Sequence, residues 1–115
     1  MNRKMITLDK GLSVKSAIKL MVKKNIGSIV VTADSNNNPV GILTERDILR
    51  SIAYRRVRPE TTKIEEIMSS PIFSVEQDTT LGDAAQVMIK KNIRRLLVKQ
   101  NEKYVGIITQ RDLQK

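Results

Sequence analysis

Residues 13–47 of this 115-residue chain are written again at 80–112, and the copies share chemical as well as apolar positions. The run from Ser13 to Val31 lies over the run from Thr80 to Val98, and after a shorter loop Val40 to Asp47 lies over Val105 to Asp112. Ala17 and Ala84, Met21 and Met88, Val31 and Val98 agree, as do Lys23-Lys24-Asn25-Ile26 and Lys90-Lys91-Asn92-Ile93. So do Gly41 and Gly106, Thr44 and Thr109, and Arg46-Asp47 and Arg111-Asp112. A repeat of this period is one supersecondary unit used twice, each half too small to bury its apolar surface alone. A duplicated core requires only matching apolar periods. Gly, Thr and Asp repeated at one turn therefore ask for a further cause.

Within each copy the pattern changes period in a fixed order. Met5-Ile6-Thr7-Leu8 and Ile72-Phe73-Ser74-Val75 are short extended runs, the second preceded by Pro71 at a strand's first position. Val14, Ala17, Ile18, Met21 and Val22 then recur at helical spacing, matched by Leu81, Ala84, Ala85, Met88 and Ile89. Ser13 and Thr80 stand at the N-cap, with Asp83 three residues after Thr80 as in a capping box. Ile29-Val30-Val31 and Leu96-Leu97-Val98 are β-rich and are followed by Val40-Gly41-Ile42-Leu43 and Val105-Gly106-Ile107-Ile108. The intervening Asn36-Asn37-Asn38-Pro39 and Asn101-Glu102-Lys103 make each pair a hairpin. Ile48, Leu49, Ile52 and Ala53 give a second amphipathic helix. The unit is β-α-β-β-α, in which strand, helix and strand form a right-handed parallel crossover and the hairpin adds an antiparallel neighbour. This predicts a mixed α/β (α+β) fold of two tandem units, 1–58 and 71–115, joined by a 59–70 linker in which Lys63 to Met68 makes a helical turn. Two small sheets of this kind are expected to pack with their helices against each other. The second unit reaches Lys115 with its final helix truncated, which implies trimming or completion of that edge by a partner.

Composition narrows the chemistry. The chain has no cysteine and no histidine, so there is no disulfide, thiol nucleophile or sulfur-ligated metal site, and the commonest general base and zinc ligand are absent. No catalytic residue and no metal site are assigned. No apolar run approaches a membrane span and Met1 to Gly11 leads into no signal-peptide core, so a soluble cytoplasmic protein without membrane association is expected. Twenty-one Lys and Arg against 12 Asp and Glu give a formal charge of +9, concentrated at Arg46, Arg50, Arg55, Arg56 and Arg58 and again at Arg94 and Arg95. Such a surplus favours anionic partners without choosing among nucleotide, nucleic acid, acidic protein surface and membrane.

The repeated turn is Gly41-Ile42-Leu43-Thr44-Glu45-Arg46-Asp47 and Gly106-Ile107-Ile108-Thr109-Gln110-Arg111-Asp112. Thr-x-x-Asp at a strand-to-helix junction is the spacing of a capping box. It also brings a hydroxyl, a carboxylate and free helix N-terminal amides together. A carboxylate accepts two hydrogen bonds from a ribose diol, and the amides favour phosphate. One Thr can cap and bind. Gly ahead of the turn leaves room for a ligand to approach the backbone, or marks a bulge.

The doubled unit, the Asn-Ile-x-x-hydrophobic strand and the Gly-x-x-Thr-x-x-Asp turn together resemble a CBS (cystathionine-β-synthase) domain pair, also called a Bateman module, over nearly the whole chain from Met5 to Leu113. The resemblance implies a regulatory module whose two domains pack pseudo-symmetrically through their sheets and dimerise into a four-domain disc, with adenine nucleotides or adenosyl compounds in clefts between domains. It implies that the turn Asp holds the ribose hydroxyls, the turn Thr lies near ribose or phosphate, and the first strand of a domain contacts adenine. The residues after Asn-Ile reach the other domain's ligand. Carried onto this sequence, cleft 1 takes Thr44, Arg46, Asp47, Ile72, Phe73, Arg94 and Arg95. Cleft 2 takes Ile6, Thr7, Gly27, Ser28, Thr109, Arg111 and Asp112. Only cleft 1 has arginines at the crossing position, so a phosphorylated adenosine is expected there and a weaker, empty or uncharged-ligand site in cleft 2. Phe73 is either core or a base-stacking platform, and Arg46 and Arg111 either reach phosphate or lie in solvent. The expected regulatory ligand is AMP, with ATP, ADP or S-adenosylmethionine as alternatives. The expected partners are a second copy and a regulated protein on another chain. The competing readings are a basic nucleic-acid-binding protein and a ligand-free dimerisation scaffold.

Overall fold

The computed structural model describes residues 5–33 and 38–113. They divide into two compact units, one of which is Ile6–Ile72 while the other holds Met5 and residues 73–113. In the first unit β1 (Thr7–Asp9), α1 (Val14–Lys24), β2 (Ser28–Ala33), β3 (Asn38–Thr44) and α2 (Glu45–Arg55) follow in order. In the second the order is β4 (Ser74–Glu76), α3 (Leu81–Lys91), β5 (Arg95–Gln100), β6 (Lys103–Thr109) and a 3-10 turn, Gln110–Leu113. This is the expected β-α-β-β succession in both copies, with a helix completing the first and the 3-10 turn closing the described part of the second. Each sheet has three strands in sequence order. β1 pairs parallel with β2, which pairs antiparallel with β3, and β4, β5 and β6 repeat the arrangement. Both hairpins carry a register shift at the same place, between Val31 and Thr32 and between Val98 and Lys99.

The helix boundaries follow from local chemistry. Ser13 Oγ accepts from Ser16 N at 3.1 Å and Thr80 Oγ1 accepts from Asp83 N at 3.1 Å, satisfying amides that the first turn leaves unpaired. Asn25 and Asn92 end the two helices in the left-handed region, φ 54° and 55°. Asparagine is among the few residues with a side chain that enter that region readily. Lys23, Lys24, Lys90 and Lys91 occupy the last turns, where the helix dipole favours positive charge. Between β5 and β6, Asn101 turns the hairpin at φ 58°. Of the first hairpin's predicted turn, Asn36 and Asn37 lie outside the described residues, while Asn38 and Pro39 open β3.

The stretch read from sequence as a connection is built into the first unit. Val14 N donates to Thr62 O at 2.8 Å, Lys15 N to Pro59 O at 2.9 Å, and Ile64 N to Leu12 O at 2.9 Å. The expected helical turn is a 3-10 turn, Ile64–Glu66. Ile64 and Ile67 join Val14, Ala17, Met21, Ile29, Val31, Leu43 and Ile48 in one buried cluster. Beyond it, Ser69 pairs with Ile42 of β3 as an antiparallel bridge. The second unit has its own cluster of Ala84, Met88, Leu96, Val98 and Ile108.

Candidate functional site

At the first repeated turn, β3 runs directly into α2. Thr44 is buried and extended, φ −118° and ψ 163°, as an N-cap must be. Its hydroxyl accepts from Asp47 N at 3.1 Å, and Asp47 Oδ2 accepts from Thr44 N at 3.0 Å. The capping box is complete. Hydroxyl, half-buried carboxylate and helix N-terminus therefore stand together, held by bonds that the fold itself requires.

A further residue that the sequence pattern did not mark completes this turn. Ser69 Oγ donates to Asp47, lying 3.1 Å from Oδ1 and 3.2 Å from Oδ2. Its backbone is fixed by Ser69 N to Ile42 O at 2.9 Å and Ile42 N to Ser69 O at 3.0 Å. The approach depends on Gly41, where a β-carbon would lie 2.6 Å from Met68 Sδ and 2.9 Å from Ser69 O. The space that a glycine leaves at the first turn is taken by the chain's own 68–69 segment, not kept for a ligand. The available sequence signal was the spacing of Ile64, Ile67 and Met68, which marks this segment as packed rather than free.

The second turn uses the same residues differently. Thr109 N donates to Asp112 Oδ2 at 2.8 Å, and the Thr109 hydroxyl also donates to Oδ2 at 3.2 Å. In the first turn the hydroxyl accepts from the helix amide. Here it is turned toward the carboxylate.

The remaining predicted residues fall in place unit by unit. In the first, Ser28 stands opposite Thr44 in the β2–β3 register and Gly27 O accepts from Glu45 N at 3.1 Å. Gly27 leaves room for the Glu45 carboxylate, which a β-carbon would meet at 3.1 Å. Ile6 O accepts from Val30 N at 3.0 Å, and Thr7 pairs with Val30. Ile72 is half-buried at the end of this unit, and Arg46 is exposed on the first turn of α2. In the second unit, Arg95 stands opposite Thr109 and Arg94 O accepts from Gln110 N at 2.9 Å. Arg94 and Arg111 are exposed, whereas Arg95 and Asp112 are half-buried. Phe73 packs against the second core, and Lys91 Nζ lies 5.1 Å from its ring centroid. At corresponding positions the first unit thus carries Gly27 and Glu45 where the second carries Arg94 and Gln110. Each turn has as its ladder neighbour a residue that the resemblance assigned to the other turn's ligand. Among the described residues no cluster of carboxylates suits a metal ion, and no helix is long and apolar enough to cross a membrane.

Both halves match a known family. The CBS domain family aligns twice, at residues 1–54 and 64–115, and the chain belongs to it. It is 33% identical over 114 residues to a CBS domain-containing protein of Bacillus subtilis, covering 98% of this chain and 79% of that one. An uncharacterised protein of Methanopyrus kandleri is 34% identical over 107 residues, which are 90% of this chain and 54% of the relative. The chain thus spans about half the length of that curated relative. Among solved structures, a CBS domain protein of Pyrobaculum aerophilum complexed with AMP superposes with a TM-score of 0.81 at 29% identity, covering 97% of this chain and 85% of the other.

Proposed function

We propose that this CBS domain pair is a regulatory module that binds an adenosine nucleotide at the Thr44–Asp47 turn and controls a partner protein. The observation that carries the reading is the preassembled turn. Asp47 presents a half-buried carboxylate suited to ribose hydroxyls. The Glu45 and Asp47 amides, expected to be free, are bonded to Gly27 O and Thr44 Oγ1, so phosphate would be favoured by the helix dipole and Arg46 and not by those two amides. The AMP bound by the Pyrobaculum relative supports the ligand class. AMP is the first choice, with ADP, ATP and S-adenosylmethionine as the other adenosyl compounds to compare. Within the same unit, Ile72 is assigned to the adenine and Arg46 to the phosphate, where each charge-assisted bond contributes ~1.5–3 kcal/mol. At the Thr109–Asp112 turn the hydroxyl is committed to the carboxylate, which supports a weaker site there, beside Arg111. No group at either turn is set up as an activated nucleophile, and binding without turnover is the reading.

Regulation then follows from differential affinity: a ligand that prefers one arrangement of the module shifts its population toward that arrangement. A homodimer is the proposed assembly. Its support is an open apolar groove between α1 and α2, lined by Ile18, Met21, Ile26 and Ile48. At its rim Val22 is 77% exposed and Leu49 66%. Isothermal titration with AMP, ADP, ATP and S-adenosylmethionine tests the proposal, repeated on Asp47→Ala and Arg46→Ala at fixed ionic strength. Saturable binding weakened in both variants is the expected result. Affinity that ignores adenosine compounds, yet falls steeply with salt on added nucleic acid, overturns it in favour of the exposed arginines at 50–58.

A further inference from the structure

Asp47 already has a hydroxyl where a ribose would place one. Ser69 Oγ is nearly equidistant from the two carboxylate oxygens, 3.1 and 3.2 Å, and so lies on the bisector of the group. A vicinal diol uses that same region to bridge both oxygens. Thr44 N takes one further position on Oδ2 at 3.0 Å. A carboxylate offers roughly four lone-pair sites. With the amide and the bifurcated serine in place, both oxygens are engaged on the side that a diol would approach.

From this geometry, and resting on the adenosine-binding reading of the turn, we infer that Ser69 is a built-in competitor for the ribose hydroxyls and sets the affinity and ribose selectivity of the site. The backbone evidence makes it a side-chain event. Ser69 is pinned to Ile42 by bonds of 2.9 and 3.0 Å, and Gly41 admits the segment at contact distance, so the strand pairing stays while the hydroxyl rotates. Ser69 is exposed, and its released hydroxyl finds water. A bound nucleotide therefore exchanges Ser69–Asp47 for ribose–Asp47, with the bond to Thr44 N retained. The charged acceptor makes this exchange costly enough to read in an affinity, since bonds to charged groups exceed neutral ones.

The test is titration of AMP and 2′-deoxy-AMP into wild type, Ser69→Ala, Ser69→Thr and Asp47→Ala, with thermal unfolding to show that each is folded. Ser69→Ala is expected to bind AMP more tightly by about tenfold or more, through removal of a competitor hydrogen-bonded to a charged acceptor. Its preference for AMP over the deoxy compound should rise, because the freed carboxylate accepts both hydroxyls. Ser69→Thr keeps the hydroxyl and should match wild type. Binding by Ser69→Ala where wild type shows none also supports the inference. Equal or weaker AMP binding by folded Ser69→Ala, with Asp47→Ala still abolishing it, overturns the role of Ser69 while leaving the adenosine site standing. Absence of binding in both wild type and Ser69→Ala, or binding indifferent to Asp47→Ala, overturns the adenosine site and the competitor with it.

Discussion

Replacing Gly41 by alanine probes the tightest approach in the first unit. The new β-carbon meets Met68 Sδ at 2.6 Å and Ser69 O at 2.9 Å. The thioether ends a flexible side chain and can swing aside. The carbonyl oxygen is backbone, held by Ile42 N at 3.0 Å, so relief requires the Ser69–Ile42 bridge to open. Opening it removes two backbone hydrogen bonds, worth about 0.5–1.5 kcal/mol each, and the bond to Asp47, worth about 1.5–3 kcal/mol as a bond to a charge. Alanine returns about 0.4–1 kcal/mol by restricting the unfolded chain. With partial yielding of the segment, a net loss of about 2–4 kcal/mol is expected, a large effect for one methyl group. Urea unfolding followed by far-UV circular dichroism reads it, with Gly82→Ala as the counterpart. At Gly82 the nearest heavy atom to a β-carbon is Thr80 Oγ1 at 4.0 Å, so alanine there should gain about 0.4–1 kcal/mol. The same substitution then has opposite signs at two glycines. A Gly41→Ala protein as stable as wild type would refute the close packing of 68–69 on β3.

Thr44→Ala deletes a buried N-cap hydroxyl and should cost about 1–2 kcal/mol in denaturant unfolding, with Thr44→Ser recovering most of it. Ile64→Ala, in the stretch between the repeats, should cost about 2–5 kcal/mol by the same measurement, because Ile64 is fully buried in the first core. An effect near zero there would show the stretch to be a free tether.

The repeat exposed most of the architecture because its apolar periods are local: Ala17, Met21, Ala84 and Met88 announce a helix face that needs no distant partner to interpret. The caps at Ser13, Thr44 and Thr80 were legible for the same reason, since each hydroxyl bonds an amide only three residues ahead. What the pattern could not carry was pairing between distant parts of one copy. Ser69 is polar, exposed and unremarkable in its neighbourhood, and it acquires meaning only through the bridge to Ile42. Gly41 reads in sequence as room for a ligand or the mark of a bulge; the ladder does shift register beside it, and the group that approaches is the chain itself. Identical letters also hid a difference: Thr109 points its hydrogen at Asp112, whereas Thr44 receives one from the Asp47 amide. That distinction lies in the direction of one hydroxyl hydrogen bond, and no spacing rule distinguishes the two.

The capping box at Thr44 and Asp47 has an entropic consequence. Freezing a side chain on association costs about 0.5–1.5 kcal/mol when it was previously free to rotate. The Asp47 carboxylate is already immobilised by the Thr44 amide before any ligand arrives, so that cost was met when the chain folded. If the proposed nucleotide binds here, stability and recognition draw on one set of bonds: a variant that loosens the cap would weaken binding even if every ligand-contacting atom remained, and a ligand held by the carboxylate would stiffen the start of α2.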